Sequence, residues 1–395
     1  MAKPKIRFKG FSEDWEQRKL NEVAEFNPKS DLPELFEYVD LESVVGTEMV
    51  SHRTETKETA PSRAQRLAQT GDVFFQTVRP YQRNNYLFTK PDNNYVFSTG
   101  YAHMRPKIDA EFLMCFLQTD SFVKVVLDNC TGTSYPAINS NDLSNLEIDL
   151  PTSEDEQRRI GCLITNLDHL ITLHQRKCDE IKTLKKYMLQ KMFPEKGKRV
   201  PEIRFDGFTE DWEQRKLGEL YTERNERGND SLQILSVSIH SGVSDGELNE
   251  ESLGKIVRRS KDKAKYKRVY SGDLIFNMMR AWQGAIGVAK TEGMVSPAYI
   301  SAIPNEVIYP EFMNYLLRRK VIIGQINNLS YGVTDFRKRL YWNSFSKVMC
   351  QVPSTEEQKN IGEFFSKLDH LITLHQHKCE ELQKLKKFML QNMFV

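Results

Sequence analysis

The nonapeptide LDHLITLHQ occupies Leu167–Gln175 and recurs unchanged at Leu368–Gln376. A heptapeptide, DWEQRKL, fills Asp14–Leu20 and returns unchanged at Asp211–Leu217, each time after an Ile-Arg-Phe-x-Gly-Phe segment. Matches of this length in the same order indicate an internal duplication. The chain is therefore predicted to contain two repeats, each opened by the heptapeptide and closed by the nonapeptide.

The segment around each nonapeptide has the pattern of one long helix. Apolar residues recur every seven positions over Ile160–Met188 and Ile361–Met389, which is the heptad period of a coiled coil. Capping-box patterns, Ser153-x-x-Glu156 and Ser354-x-x-Glu357, precede the two helices. At about 1.5 Å per residue each helix would be roughly 50–60 Å long, too long to bury its apolar stripe against one small globule.

The two helices are predicted to pack against one another in antiparallel fashion, because they share one pattern and each follows an equivalent globule. This packing would relate the repeats by a pseudo-twofold axis. A histidine at the same position of both seams can fix the register of a coiled coil, although two partly exposed imidazoles explain the pattern more simply. The residues predicted for the seam and for partner docking are Leu163, Leu167, Leu170, His174, Ile181, Leu184, Phe364, Leu368, Leu371, His375, Leu382 and Leu385.

The stretches between the repeated strings, roughly 20–150 and 217–352, diverge from one another. Both contain short Val, Ile, Phe and Tyr runs separated by Gly, Pro, Asn and Asp, with one helical pattern near the end of each, Glu111 to Leu127 and Glu311 to Ile326. The predicted fold class is α+β, with two mixed α/β globules in tandem, separated by long antiparallel helices. The predicted boundaries are 1–150 for the first globule, 151–197 for the central helix, 198–352 for the second globule and 353–395 for the C-terminal helix.

The composition is that of a globular protein with two domains. Of 395 residues, 39% are hydrophobic and 28% charged, and no apolar run is long enough to span a bilayer. The N-terminus lacks the apolar region of a secretory signal, so a cytoplasmic location is expected. The six cysteines form no C-x-x-C pair and are expected to be reduced. A net charge of +2 is too small to indicate nucleic acid by itself.

The chain lacks the common catalytic motifs. No phosphate-binding loop occurs, because the Gly-Lys pair at Gly197 continues with Arg199. The Asn-Pro-Pro-aromatic motif of amino-methyltransferases is absent, since Asn27-Pro28 is followed by Lys29. We therefore predict no catalytic residue, no metal site and no cofactor in this chain, while the missing motifs leave an unrecognised enzyme open.

Both globules contain basic residues interleaved with aromatic and amide side chains. Lys and Arg bind phosphates, whereas forked side chains such as Arg, Asn and Gln discriminate bases. Glycine beside hydroxyl groups lets a backbone approach a phosphate closely. Solvated charged loops and ordinary turns are the alternative interpretation. The predicted DNA-binding residues are Arg63, Arg66, Arg79, Tyr81, Gln82, Arg83, Asn84, Thr133 and Ser134 in the first globule, and Lys263, Lys265, Lys267, Arg280, Trp282, Gln283, Tyr331, Arg337 and Lys338 in the second.

The arrangement resembles the specificity subunits of type I restriction-modification systems. Each globule opens with Phe-x-x-x-Trp-Glu-x-Arg-Lys-Leu, at Phe11–Leu20 and Phe208–Leu217. Each closes with a Pro-x-x-x-Glu-Gln-x-x-Ile helix start, at Pro353–Ile361 and, with one inserted residue, at Pro151–Ile160. The resemblance covers essentially the whole chain. One departure is Asn21, where the family and the second repeat have glycine.

The resemblance implies that each globule is a target-recognition domain that reads one half of a bipartite, asymmetric site in double-stranded DNA. The helices would set the gap between the halves. Two methyltransferase subunits, which bind S-adenosylmethionine, would dock around the helices and modify adenine, and two nuclease subunits that use ATP and Mg²⁺ can join them. None of this chemistry would reside in the present chain.

Two readers inverted on one helical pair would suit half-sites about one DNA turn, or on the order of 34 Å, apart. Two other functions stay open at this point. The chain could be a protein-protein adaptor in which the coiled coil is the functional part, or a self-sufficient nuclease. Partner-dependent, sequence-specific DNA binding distinguishes the specificity subunit from the adaptor, and magnesium-dependent cleavage by the isolated chain identifies the nuclease.

Overall fold

The computed structural model describes residues 3–132, 134–240, 242–244, 265–332 and 338–395. The chain divides into two compact units, Met1–Arg176 with Gln376–Val395, and Lys177–His375. Each unit therefore combines one globule with a section of each long helix. Within the described residues, no helix is both long enough and apolar enough to cross a membrane.

Strands form most of the globule in the first unit. They are β1 (Glu16–Lys19), β2 (Ala24–Phe26), β3 (Leu35–Val39), β4 (Val44–Val45), β5 (Glu48–Met49), β6 (Arg53–Thr56), β7 (Ala64–Leu67), β8 (Val73–Gln76), β9 (Tyr86–Leu87), β10 (Tyr95–Ser98), β11 (Tyr101–Pro106) and β12 (Glu147–Leu150). One sheet has the order β6-β3-β10-β7, with β10 parallel to β3. A second, antiparallel sheet has the order β2-β11-β8-β9, while β1 pairs with β12 and β4 with β5.

The helices of this globule cover the second sheet and lead into the long helix. They are α1 (Leu20–Val23), a 3-10 turn η1 (Pro80–Gln82), α2 (Ala110–Leu117), α3 (Asp120–Asp128), α4 (Ser140–Ser144) and α5 (Glu154–Lys191). The single helix predicted for Glu111 to Leu127 is wrong, because the chain turns at Gln118 and restarts at Thr119. The Thr119 hydroxyl accepts the backbone N–H of Phe122 and so caps a second helix.

The second unit repeats part of this architecture. Its strands are β13 (Glu213–Lys216), β14 (Tyr221–Arg224), β15 (Val237–Ser238), β16 (Gly242–Val243), β17 (Lys267–Val269), β18 (Leu274–Asn277), β19 (Ile286–Val288), β20 (Gly293–Val295), β21 (Tyr299–Pro304) and β22 (Met349–Val352). Its helices are α6 (Leu217–Leu220), the 3-10 turn η2 (Ala281–Gln283), α7 (Pro310–Leu316), α8 (Lys320–Leu329), α9 (Trp342–Phe345) and α10 (Thr355–Asn392). The single helix predicted for Glu311 to Ile326 is also wrong, because this segment forms two helices, α7 and α8.

The sheet β14-β21-β18-β19 corresponds strand by strand to β2-β11-β8-β9, and β13 pairs with β22 as β1 pairs with β12. Among the described residues of the second unit, the counterpart of the first sheet consists of the two-stranded sheets β15-β16 and β17-β20. The prediction of two similar mixed globules in tandem, each followed by a long helix, is confirmed.

A buried tryptophan from each heptapeptide anchors the core of its unit. The Trp15 ring centroid lies 5.8 Å from that of Phe112 and 6.3 Å from that of Phe394, and Phe112 stacks on Phe394 at 5.5 Å. The second unit repeats the cluster with Trp212, Phe312 and Phe193. The last residues of each long helix thus complete the core of the unit in which they lie, and burial of one such ring contributes about 1.5–3 kcal/mol.

The two ends of each repeat meet at the start of its long helix. Arg7, from the Ile-Arg-Phe segment, forms a two-pronged ion pair with the buried Glu156 at 2.6 and 2.8 Å. Gln157 donates to the Pro151 carbonyl at 2.8 Å. Ser153 accepts the Glu156 N–H at 3.4 Å, so only half of the predicted capping box forms, because the Glu156 carboxylate binds Arg7 instead. The second unit repeats these contacts with Arg204, Glu357, Gln358, Pro353 and Ser354.

A glycine within each long helix allows the neighbouring helix to approach closely. A Cβ atom on Gly161 would lie 2.7 Å from the backbone nitrogen of Phe112, and one on Gly362 would lie 2.9 Å from that of Phe312. Both separations are shorter than a carbon and a nitrogen can tolerate. Glycine therefore sets the distance between α2 and α5, and between α7 and α10.

Inside each unit the two long-helix sections run antiparallel. In the first unit Lys386 Nζ lies 2.5 Å from Asp168 Oδ1, and the Cys379 thiol lies 3.9 Å from the Ile171 carbonyl. Residue numbers therefore rise along one section as they fall along the other. The second unit has the same direction, with pairs Lys185–Asp369 and Cys178–Ile372.

The apolar residues of the long helices separate into a buried and an exposed group. Leu167, Leu368 and Leu382 are buried, and Leu163, His174, Ile181, Phe364 and His375 are partly buried. Leu170, Leu184, Leu371 and Leu385 are exposed, which corrects their predicted place in the seam. The reason is geometric. Apolar residues spaced seven apart along the helix form three columns, which contain Ile160, Ile164 and Leu170. The antiparallel pair buries the columns of Ile160 and Ile164, and the column of Leu170 faces outward.

Candidate nucleic-acid interface

Two loops of the first globule, far apart in sequence, meet at the end of β8. The Arg79 N–H donates to the Pro136 carbonyl at 2.8 Å, and the Ile138 N–H donates to the Thr77 carbonyl at 3.0 Å. The Arg79 guanidinium lies over the Tyr135 ring, 4.5 Å from its centroid. The fold therefore brings Arg79 beside the loop that contains Ser134 and Tyr135.

The second globule joins its equivalent loops in the same way. The Leu340 N–H donates to the Met278 carbonyl at 2.8 Å, so the loop after β18 meets the loop that precedes α9. Lys338 Nζ lies 5.3 Å from the centroid of the Trp282 ring. The exposed Tyr331 stacks on Tyr341 with ring centroids 5.4 Å apart.

In each globule, the pair of loops thus presents a cation over an aromatic ring. The loop that supplies the cation in one globule corresponds to the loop that supplies the ring in the other. In the first globule the loop after β8 supplies the cation, Arg79, and the second loop supplies the ring, Tyr135. In the second globule the loop after β18 supplies the ring, Trp282, and the second loop supplies the cation, Lys338. The frame is common to both repeats, and the chemical groups that it presents differ.

Several aromatic and basic side chains on these loops are open to solvent. Tyr135 is 63% exposed and Tyr81 49% exposed. Arg280 and Gln283 are also exposed, and no described side chain pairs with the Arg280 guanidinium. Cations and forked donors in such positions can contact phosphates and base edges.

The loop after β8 has an unusual backbone. Arg79 and Arg83 both have φ of +56°, in the left-handed region that side chains rarely adopt. Gly284 occupies that region at the end of η2 in the second globule. Strained residues of this kind concentrate at functional sites.

Three of the predicted DNA-binding side chains in this loop also hold the loop in place. Arg83 donates to the Gln118 carbonyl at 2.9 Å and to Asp120 at 2.5 Å. Asn84 accepts the Gly46 N–H at 2.8 Å, which ties the loop to the hairpin β4–β5. The Gln82 side chain accepts a hydrogen bond from the buried amide of Gln76 at 3.0 Å. These contacts position Arg79 and Tyr81 within the loop.

The remaining predicted residues lie on other elements. Arg66 is on β7, in the other sheet, where burial lowers the pKa of its guanidinium and its Nε has no partner among the described residues. Arg63 precedes the same strand and is exposed. Lys267 is on β17, and its Nζ lies 3.9 Å from Glu223 Oε1. Lys265 lies two residues before Lys267. Thr133, Lys263 and Arg337 lie outside the described residues.

Tyr135 and Tyr341 are contact candidates that the sequence prediction missed. Tyr135 directly follows the hydroxyl-rich segment Thr131–Ser134, and Tyr341 is the second residue after the Arg-Lys-Arg run that ends at Arg339; these positions were the available signals. Both rings face the paired loops.

A family model, the type I restriction modification DNA specificity domain, matches the chain twice, at residues 12–183 and 209–384. The chain belongs to this family. The resemblance drawn from the repeated strings is therefore confirmed, and the two matched segments coincide with the two repeats of the DNA specificity protein.

Individual relatives agree with this assignment. The MjaVIII type I restriction enzyme specificity subunit of Methanocaldococcus jannaschii is 25% identical over 290 residues, which cover 68% of this chain and 65% of that protein. The HindI specificity subunit of Haemophilus influenzae is 25% identical over 175 residues, covering 41% of this chain and 37% of that protein. The chain thus spans less than two-thirds of the length of these two relatives.

A solved structure of a type I restriction-modification system S subunit from M. genitalium superposes on this chain with a TM-score of 0.65. The two share 14% identity, and the match covers 100% of this chain and 99% of the other. At this identity the similarity shows the fold alone.

Proposed function

We propose that this chain is the DNA-reading specificity subunit of a type I restriction-modification assembly. Each globule reads one half of a bipartite site in double-stranded DNA, and the helical sections set the spacing. The observation that carries the proposal is the pair of loops that meets at the same place in both globules while presenting different cations and rings. Two different readers on one repeated frame make the recognised site asymmetric.

The paired loops divide the work of recognition. Arg79 and Arg280 are forked donors of the kind that bind the guanine edge, and Gln283 is an amide of the kind that binds adenine. Lys338 is a point charge that suits a phosphate. The hydrogen bonds of Arg83 and Asn84 keep the first loop in one conformation, which reduces the entropy lost on binding.

The exposed apolar residues of the long helices support a docking role. Leu170, Leu173, Leu385 and Phe388 are exposed in the first unit, and the equivalent Leu371, Leu374, Leu184 and Tyr187 are exposed in the second. Apolar residues that stay exposed at matching positions of both repeats suit partner helices. Two methyltransferase subunits would dock here, one at each set, and two nuclease subunits would join through them.

The chemistry belongs to those partners in this proposal. S-adenosylmethionine would be bound by the methyltransferase subunits, and ATP and Mg²⁺ by the nuclease subunits. The present chain would act without a cofactor, in the cytoplasm, and would determine where the partners act.

Methylation mapping tests the proposal. DNA is sequenced for modified adenine from cells that carry this chain with its methyltransferase subunit, and from cells that lack this chain alone. We expect methylation at one bipartite, asymmetric motif that disappears without the chain. Methylation by an active partner that is independent of this chain would refute the proposal and favour the adaptor.

A further inference from the structure

A cavity of about 610 Å³ lies in the first unit between α2, the hairpin β4–β5 and the long helix α5. Its apolar walls include Met49, Leu87 and Met114, and Asp168 and Lys386 supply charged groups. This volume is within the range of sites that bind small molecules or inserted side chains. The proposed DNA contacts do not use it.

The hairpin forms one wall of this cavity because it is bonded to α5. The Glu48 carboxylate accepts the Thr172 hydroxyl, and its second oxygen lies 3.7 Å from the Arg176 guanidinium. The wall is therefore attached at a defined place along the helix.

The equivalent place in the second unit is filled by aromatic rings. Tyr315 packs on Phe365 with ring centroids 5.2 Å apart, and its hydroxyl donates to Asp369 Oδ2 at 2.8 Å. Lys185 Nζ lies 2.5 Å from Asp369 Oδ1 and 5.2 Å from the Tyr315 ring centroid. A phenol ring is thus held by an acceptor at its hydroxyl, a cation over its face and an apolar neighbour.

The two places correspond residue by residue. Asp168 and Asp369 are the second residues of the identical nonapeptides, and Lys386 and Lys185 occupy the same position in a repeated Leu-Lys-Lys-x-Met-Leu-Gln segment. Cys115 and Tyr315 each follow by three residues the phenylalanine that stacks on the end of a long helix. Ile164 and Phe365 each precede the nonapeptide by three residues.

The first unit therefore keeps the aspartate and the lysine but has no ring at the positions of Tyr315 and Phe365. Asp168 Oδ1 is bonded to Lys386 at 2.5 Å, as in the second unit, but no donor among the described residues bonds to Asp168 Oδ2. Cys115 and Ile164 are both buried and line the space that Tyr315 and Phe365 fill in the other repeat.

We propose that this cavity is a binding site for a phenolic ring supplied from outside the chain. The ring enters beside Cys115, its hydroxyl donates to Asp168 Oδ2, and Lys386 lies over its face. The second unit, which provides a tyrosine for the same set of groups, is the template for the ligand class.

p-Cresol, the side chain of tyrosine as a free molecule, is the probe. We expect saturable binding to the full chain by calorimetry, with one site and a dissociation constant on the order of 1 mM, the range for so small a ligand. Toluene, which lacks the hydroxyl, should bind about tenfold more weakly, because it leaves the carboxylate oxygen unpaired.

Variants in both units separate this site from nonspecific binding. Cys115→Tyr supplies the ring internally and should abolish p-cresol binding, while Cys115→Ser keeps the cavity and should retain it. Tyr315→Cys opens the equivalent space in the second unit and should raise the stoichiometry from one to two. No saturable binding to the natural chain, or a stoichiometry that neither Cys115→Tyr nor Tyr315→Cys changes, would overturn the proposal.

A last arm, which alone rests on the proposed function, identifies the source of the ring. If a tyrosine of the methyltransferase subunit occupies the cavity, saturation with that subunit abolishes p-cresol binding. If the natural ligand is a free phenolic compound, p-cresol binds to the complex as it binds to the chain alone.

Discussion

Leu167 and Leu170 lie three residues apart on the same helix, and we expect opposite consequences when each is replaced by alanine. Leu167 is 6% exposed and belongs to the core of the first unit, whereas Leu170 is 43% exposed. Leu167→Ala should lower the free energy of unfolding by about 2–5 kcal/mol, the usual cost of such a cavity. Leu170→Ala should change it by less than about 0.5 kcal/mol.

Under the proposed function, the effect of Leu170 on docking follows from its exposed area. Full burial of a leucine side chain contributes about 1.5–3 kcal/mol, so burial of the exposed 43% under a partner contributes about 1 kcal/mol. Leu385, in the same unit, is 40% exposed and adds a similar amount. The double variant should therefore weaken binding by about 2 kcal/mol, or roughly thirtyfold in the dissociation constant.

The assay combines chemical unfolding of the chain with calorimetric titration of the purified methyltransferase subunit. Leu167→Ala serves as the matched control, because it alters stability through the core and leaves the exposed leucines in place. If the Leu170→Ala, Leu385→Ala double variant binds the methyltransferase subunit with unchanged affinity, the exposed column is not the docking surface. If it unfolds as readily as Leu167→Ala, the separation of the columns is wrong.

Three further predictions concern recognition, the core and acid stability. Arg79→Ala should relax the methylation motif in one half and Arg280→Ala in the other, with assembly intact; an equal loss at all sequences would make them phosphate contacts. Phe394→Ala should cost about 3–5 kcal/mol and speed hydrogen exchange in the first unit, and Phe193→Ala should do so in the second; a reversed pattern would contradict the two cores. Burial alone would raise the pKa of Asp72, but hydrogen bonds from His103 and Arg105 lower it below its ordinary value. The ionised Asp72 should therefore stabilise the fold above about pH 4, and this contribution should disappear as the pH falls further. If Asp72→Asn unfolds in acid with the same dependence on pH as the natural chain, this prediction is refuted.

The duplication and the long helices were predictable because each leaves a local signal. A repeated string identifies equivalent positions, and a heptad period identifies a helix. The buried column of that helix was not predictable, since Ile164, Leu167 and Leu170 are all apolar and the sequence does not say which of them faces the partner section. That choice depends on the direction of the neighbouring helix.

Side-chain partners far apart in sequence were also not predictable. Arg83 is paired with Asp120, which is 37 residues away, and its predicted DNA contact stays a prediction. Glu156 has the spacing of a capping box, yet its carboxylate binds Arg7 across 149 residues. Residue type and spacing indicate what a side chain can bind, whereas the fold determines which partner lies in contact with it.

The two repeats keep one backbone arrangement while the side chains that support it differ. The carboxylates of Asp72 and Asp273 each accept two hydrogen bonds from an arginine fork, but the arginine comes from β11 in one unit, as Arg105, and from β14 in the other, as Arg224. Both units thus contain an arginine that donates two hydrogen bonds to this aspartate, and the arginine can lie on either strand.

The same reasoning applies to the paired loops. The bonds that join them, from the Arg79 N–H to the Pro136 carbonyl and from the Leu340 N–H to the Met278 carbonyl, are made by the backbone and are independent of the side chains. Cation and ring can therefore exchange places between the loops without loss of the frame. Under the proposed function, substitutions in either loop alter one half of the DNA site and leave the helical docking surface unchanged.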